Sequence, residues 1–258
     1  NNSGPQDPDG EVNVLIHRGG GNGFKDIAGM DDLKQYVNTR VIALLKAPER
    51  NKAYRITPPN GILLYGAPGC GKTFFAEKFA EESGLNFMLV KQSDIASSFL
   101  HGTQNRIAKL FELAANNAPI VMCFDEFDAF VPNRDNDWGN NRSEEVNAFL
   151  THMNNCAGQG IFIVAMSNRP NKIDPAVLRT GRIDRRIYVP LPDRVARREL
   201  FRIHLADRPC ADIDYEHLAD ISTRYVASDI AYVANEAAII AAYNNEGGAF
   251  KRKEDMHR

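Results

Sequence analysis

Gly66-Ala67-Pro68-Gly69-Cys70-Gly71-Lys72-Thr73 joins a short apolar run, "GILLY", to a helix-like segment. Glycines in such a turn let successive backbone N–H groups face inward as an anion nest. The helix that follows adds the positive end of its dipole. In a G-x-x-x-x-G-K-[ST] pattern placed between strand and helix, Lys72 can reach β- and γ-phosphates and the Thr73 hydroxyl can ligate Mg²⁺. A glycine turn that only reverses the chain has no need of the lysine, the threonine and both flanking elements together. The corner is read as holding a nucleoside triphosphate.

Cleaving a triphosphate needs more. "PIVMCFDEFD" ends an apolar run with Asp125 and Glu126. An aspartate there suits a Mg²⁺ shell, and the adjacent glutamate can polarise a water for in-line attack on the γ-phosphate. Asp128 is left open between a solvated and an interface role. Asn168, at the tip of "IFIVAMSNRP", is read either as a hydrogen-bond partner of the γ-phosphate or attacking water, or as a turn-former before Pro170. "LRTGRIDRRIYVP" places Arg182 and Arg185 beside a glycine, and a guanidinium meets the charge that hydrolysis builds. Their distance along the chain from the lysine raises the reading that they serve a neighbouring subunit's nucleotide. Surface salt-bridging is the competing reading of Arg185 and Arg186.

These groups need a scaffold. "GILLY", "NFMLV", "PIVMCF", "GIFIVAMS" and "RIYVPL" are unbroken apolar runs separated by amphipathic helical segments near 72–82, 103–116 and 143–154. That alternation predicts a parallel sheet covered by helices on both faces. Leu33, Tyr36, Val37, Val41, Leu44 and Leu45 recur at helical spacing over 31–46. Residues 1–23 are rich in Gly, Asn, Asp and Pro, with only "EVNVLIH" strand-like, and read as a flexible arm or linker. After Asp193 three helical segments follow, the last rich in alanine.

With 258 residues, the chain has room for one large domain and one small one. A net charge of -2 argues against a dedicated nucleic-acid binder. No run approaches the roughly 18 apolar residues of a membrane span. Cys70, Cys123, Cys156 and Cys210 are scattered, which favours a reducing, cytoplasm-like compartment over a disulfide or zinc framework. Cys70, next to a lysine and a helix N-terminus, is read either as a thiol open to oxidative inhibition or simply as a small loop residue. Asn171-Lys172-Ile173-Asp174 spells the guanine-reading N-K-x-D of GTPases, but it trails its strand by several residues in a Pro-flanked turn, and "DEFD" is not D-x-x-G.

"GFKDIAGMDDLK", "PPNGILLYGAPGCGKT", "CFDEFDAF" and "SNRPNKIDPAVLRTGRIDRRIYVPLPD" together resemble the AAA ATPases in order and spacing, over roughly 24–245. The likeness extends to the modules of valosin-containing protein, proteasomal ATPases and AAA proteases without choosing among them. It implies an α/β P-loop NTPase domain over 24–192, with helices flanking a parallel sheet, and a small α-helical lid over 193–258. The Walker A loop would be Gly66, Ala67, Pro68, Gly69, Cys70, Gly71, Lys72 and Thr73, with Phe74 beside it. Walker B would be Asp125 and Glu126, and sensor 1 Asn168.

The resemblance makes Arg182 and Arg185 arginine fingers acting in trans, and so implies a homo- or hetero-hexameric ring. It places base or nucleotide contacts at Asp26, Ala28, Ile203, His204, Ala227 and Ser228. ATP and Mg²⁺ are the implied ligands and a polypeptide the implied substrate, gripped by Phe99 and Leu100 in a first pore loop. Core packing of Phe99 competes with that role. Trp138, in a second pore loop, is either a partner contact or a local anchor. The pattern departs at His101-Gly102, at Ala227-Ser228-Asp229 and at Ala43, and the last lid helix is expected to be truncated. The expected activity is ATP-driven remodelling, unfolding or translocation of proteins, against a nucleotide-switched binding module or a remodeller of nucleic-acid complexes.

Overall fold

A computed structural model describes residues 14–95, 102–133, 140–179, 181–209 and 212–244. Phe99, Leu100, His101, Trp138 and Cys210 lie outside the described residues. The chain runs β1 (Ile16–His17), α1 (Asp31–Val37), a π turn (Asn38–Ile42), α2 (Ala43–Leu45), α3 (Pro48–Ala53), β2 (Gly61–Tyr65), α4 (Lys72–Ser83) and β3 (Asn86–Val90). It continues through α5 (Gln92–Ile95), α6 (Gly102–Asn116), β4 (Ile120–Phe124), α7 (Phe127–Phe130), α8 (Asn140–Asn155), β5 (Ile161–Ser167) and β6 (Arg185–Tyr188). Helices α9 (Arg194–Leu205), α10 (Tyr215–Ile221) and α11 (Ala227–Asn244) close it.

The apolar runs form one six-stranded sheet in the order β1-β3-β4-β5-β2-β6. All pairings are parallel except that of β1 with β3, where Ile16 faces Met88 and His17 faces Phe87. Alternate residues of each strand feed opposite cores. Leu63 joins Met122, Ile163, Phe111 and Phe149 beneath α6 and α8, whereas Ile62 and Leu64 join Phe75, Phe79 and Val164 beneath α4. Every residue of β4 and β5 is buried, which explains their lack of polar alternation.

The helix expected over 31–46 is interrupted by one wide turn. Its apolar stripe Leu33, Val37, Val41 steps by four, overshooting a 3.6-residue turn, and the π turn brings it back to the core. Beyond Asp193, Phe201, Leu205, Ile230 and Ala234 make a separate small core. Arg197, 8% exposed, fastens these helices to the segment that follows β6: it donates to the Pro192 carbonyl at 3.0 Å and to that of Ala219 at 2.8 and 3.1 Å. No helix among the described residues is long and apolar enough to cross a membrane.

Candidate functional site

Strand order decides which residues meet. β4, β5 and β2 are neighbours, so their carboxyl ends place Asp125, Asn168 and the Gly66 loop side by side. β2 is also where the chain order reverses across the sheet, the point at which open parallel sheets bind ligands. Gly71 takes φ +87° immediately before α4, a conformation closed to most side chains. Gly69 takes φ +76°, and a Cβ there would stand 2.2 Å from the Ser228 hydroxyl oxygen. Ser228 N–H donates to the Gly69 carbonyl at 3.3 Å, so the start of α11 rests on the loop.

Lys72 is 8% exposed, and its ammonium donates to Asn168 Oδ1 at 2.5 Å and to the carbonyls of Ala67 (2.8 Å) and Gly66 (3.1 Å). Its partners among the described residues are all neutral. A buried cation balanced only by dipoles, at the start of a 12-residue helix, favours an anion. Thr73 Oγ1 and Asp125 Oδ2 converge to 3.5 Å. Among the described residues no group of three or more His, Cys, Asp or Glu could hold a metal. Two hard oxygens beside a phosphate nest fit Mg²⁺, which keeps water and phosphate ligands, better than a fully protein-caged ion.

Glu126 is exposed and sits at φ +51°, with its N–H on Asp125 Oδ1 at 2.9 Å. A glutamate in the left-handed region costs on the order of 1 kcal/mol. That twist separates the two neighbouring carboxylates, turning Glu126 outward while Asp125 faces Thr73.

Asp128, undecided from sequence, is buried. Its carboxylate accepts from the Ser167 hydroxyl at 2.6 Å and from Arg169 Nε at 3.1 Å, with an Arg169 terminal nitrogen at 2.9 Å. Arg169 N–H in turn donates to the Ser167 hydroxyl at 2.9 Å. Both neighbours of Asn168 are thereby held, and with them its reach to Lys72. The sequence signal was an aspartate inside the apolar stretch Phe127–Phe130, where a charge needs partners.

Arg182 and Arg185 are not brought to Lys72. Arg185 pairs in register with Ile62, four residues before Gly66 on the adjacent strand. At about 3.3 Å per residue that is roughly 13 Å along the strand, toward its amino end. Arg182 donates to Asn154 Oδ1 at 2.9 Å and to the Ala176 carbonyl at 2.6 Å, while Arg185 is exposed.

The expected base contacts come from three segments. Asp26 pairs with Lys78 at 2.8 Å and accepts from Asn22 at 3.0 Å, bonds that hold its carboxyl below the usual range. Phe74 is 45% exposed on α4, with the Lys78 ammonium 5.4 Å from its ring centre. Ala28 is half-buried, and Gly29 next to it abuts Ala196 at the start of α9, the helix that carries Ile203 and His204. Burial first and the Arg208 charge second lower the His204 pKa, so its imidazole is neutral near pH 7. Ala227 begins α11 beside Ser228.

Cys70 is fully buried, which fits the small loop residue rather than a thiol open to oxidants. The N-K-x-D stretch is a short turn whose Asp174 caps the next one, accepting from Ala176 N–H at 2.7 Å.

A profile described as the ATPase family associated with various cellular activities (AAA) matches residues 62–191. The chain is 39% identical over 221 residues to the cell division cycle protein 48 homolog of Archaeoglobus fulgidus, covering 84% of this chain and 30% of that protein. It is 38% identical over 224 residues to ATP-dependent zinc metalloprotease FtsH 3 of Symbiobacterium thermophilum, covering 85% and 36%. With the human ATPase family gene 2 protein homolog A it shares 37% over 222 residues, covering 84% and 25%. The chain thus spans about a third or less of the length of these relatives.

Proposed function

The chain belongs to the AAA family of ATPases, and from that premise we propose that it is one protomer of a ring whose ATP sites lie between subunits and drive remodelling, unfolding or translocation of polypeptides. Lys72 and the loop N–H groups bind the phosphates, and Thr73 and Asp125 would hold Mg²⁺. The ion, when bound, neutralises phosphate charge and orients the γ-phosphoryl group. Glu126 accepts the proton of the attacking water, whose oxygen bonds to the γ-phosphorus as the bond to the ADP oxygen breaks. Asn168, steered by Asp128, aligns that water and the γ-phosphate. Asp26, Ala28, Phe74, Ile203 and His204 surround the base, and Ala227 and Ser228 carry lid movement to the loop. A relative named as an ATP-dependent metalloprotease supports polypeptide as the substrate class.

The observation that carries the shared-site reading is the separation of Arg182 and Arg185 from Lys72 by the length of β2. An arginine that cannot reach its own nucleotide, yet suits phosphoryl-transfer charge, is fitted to a second copy's. Arg182→Ala should bind ATP without turning it over. Mixing it with Glu126→Gln, which offers intact arginines, should restore turnover. Continued inactivity of the mixture, with co-assembly shown by crosslinking, would sink the reading.

A further inference from the structure

The loop that bears the two arginines is fastened at its own base. One Asp184 carboxylate oxygen accepts from Gly181 N–H at 2.7 Å and the other from Asn60 N–H at 2.7 Å. Asn60 Nδ2 donates to the Gly181 carbonyl at 2.8 Å, and Asp184 N–H to the Gly61 carbonyl at 3.1 Å. Gly61 is the point of closest approach, where a Cβ would stand 3.0 Å from the Arg182 carbonyl oxygen. Three bonds therefore join 181–184 to Asn60 and Gly61, more than a hundred residues away in the chain, and the fourth, from Gly181 to Asp184, closes the loop on itself.

An aspartate flanked by Arg182 and by Arg185-Arg186 has an obvious use as their counter-ion. The geometry gives it another. Both oxygens accept charge-assisted bonds from backbone N–H groups, which fix the path of the chain. Gly181, at φ +91°, makes the turn that this clamp closes.

We propose that Asp184, with Asn60, is a positioning residue for the arginine pair. It holds the loop in the shape that presents Arg182 and Arg185 to the adjoining protomer's nucleotide. It also seats that loop on the amino end of β2, the strand whose carboxyl end opens the same protomer's phosphate loop. The inference rests on the shared-site reading, and it makes a directional claim: losing Asp184 harms the neighbour's site and spares the protomer's own.

The test compares Asp184→Ala, Asn60→Ala and Arg182→Ala, each alone and each mixed with excess Glu126→Gln. Alone, Asp184→Ala should lose kcat by roughly tenfold to a hundredfold, the scale of an ångström-sized misplacement, with the ATP KM changed by less than about twofold. Asn60→Ala keeps its backbone donor and should lose less. In the mixtures, turnover per clamp-variant protomer should recover, because Glu126→Gln protomers supply intact loops. Unchanged kcat in Asp184→Ala, or recovery of Arg182→Ala without recovery of Asp184→Ala, overturns the proposal and leaves the shared site standing. If Arg182→Ala fails to recover as well, the shared-site reading falls and the proposal with it. Should Asp184→Ala not fold by circular dichroism, Asn60→Ala decides in its place: recovery on mixing supports the clamp, and failure overturns it.

Discussion

The two ends of β2 present reactive side chains in opposite ways. At the carboxyl end, Lys72, Asn168, Thr73 and Asp125 are bonded to or aimed at one another, and the buried Asp128 grips both neighbours of Asn168. At the amino end the backbone is gripped through Asp184 and Asn60, the Arg182 side chain is held only by neutral acceptors, Asn154 and the Ala176 carbonyl, and Arg185 is left exposed. Groups that act on a ligand inside their own chain can be preorganised by one another. On the shared-site proposal, groups offered to another chain are positioned chiefly through the loop that carries them.

The contrast is broken most directly at the projecting end. Arg182→Ala should lower kcat by roughly a thousandfold or more, the usual worth of an arginine finger, with nucleotide affinity kept. Lys72→Ala should lose affinity and turnover together. A fluorescent-nucleotide titration beside steady-state turnover separates the two, and equal loss of affinity in both variants would erase the distinction between the ends.

Glu126→Gln sharpens the chemistry of the inward half. A general base contributes on the order of a hundredfold to ten-thousandfold, so turnover should collapse while ATP remains bound. Parent-rate turnover by this variant would remove Glu126 from its role.

Asp128→Ala asks whether the inward half depends on its brace. It leaves the Ser167 hydroxyl buried without its acceptor. The expected costs are about 2 kcal/mol in urea unfolding and roughly tenfold in kcat. Loss of stability with kcat intact would make Asp128 a fold residue only.

The smallest effect belongs to the lid. Hydrogen bonds from Arg198 hold the Glu216 carboxyl below its ordinary value, and those from Arg194 do the same for Asp220. A carboxylate whose folded pKa is depressed stabilises the fold above its unfolded value, and that stability drains away as pH falls through the folded one. Melting temperature should therefore decline from about pH 5 downward, slightly, because both groups are solvated. Glu216→Gln with Asp220→Asn should flatten that part of the profile, and an unchanged slope would remove these pairs as its cause.

Much of this was legible along the chain. The phosphate loop, Asp125-Glu126 and Asn168 each end an apolar run, and a strand end followed by a loop is a local pattern. The helix over 31–46 was legible in its stripe but not in its π turn, which depends on the surface the stripe must match. Asp128 could be read only as a charge among phenylalanines, since Ser167 and Arg169 lie about forty residues on.

What the amino-acid sequence determined by itself was the inward half of the site, because strand, glycine turn, lysine and helix are neighbours along one stretch of backbone. Only the tertiary structure decided that β4, β5 and β2 lie side by side, that Arg182 and Arg185 sit at the far end of β2 from Lys72, and that Asp184 closes onto Asn60. Apolar runs of nearly equal length carry no label for their order in a sheet. That order emerges from how the helices between them pack, and register then sets which end of a strand each charge occupies.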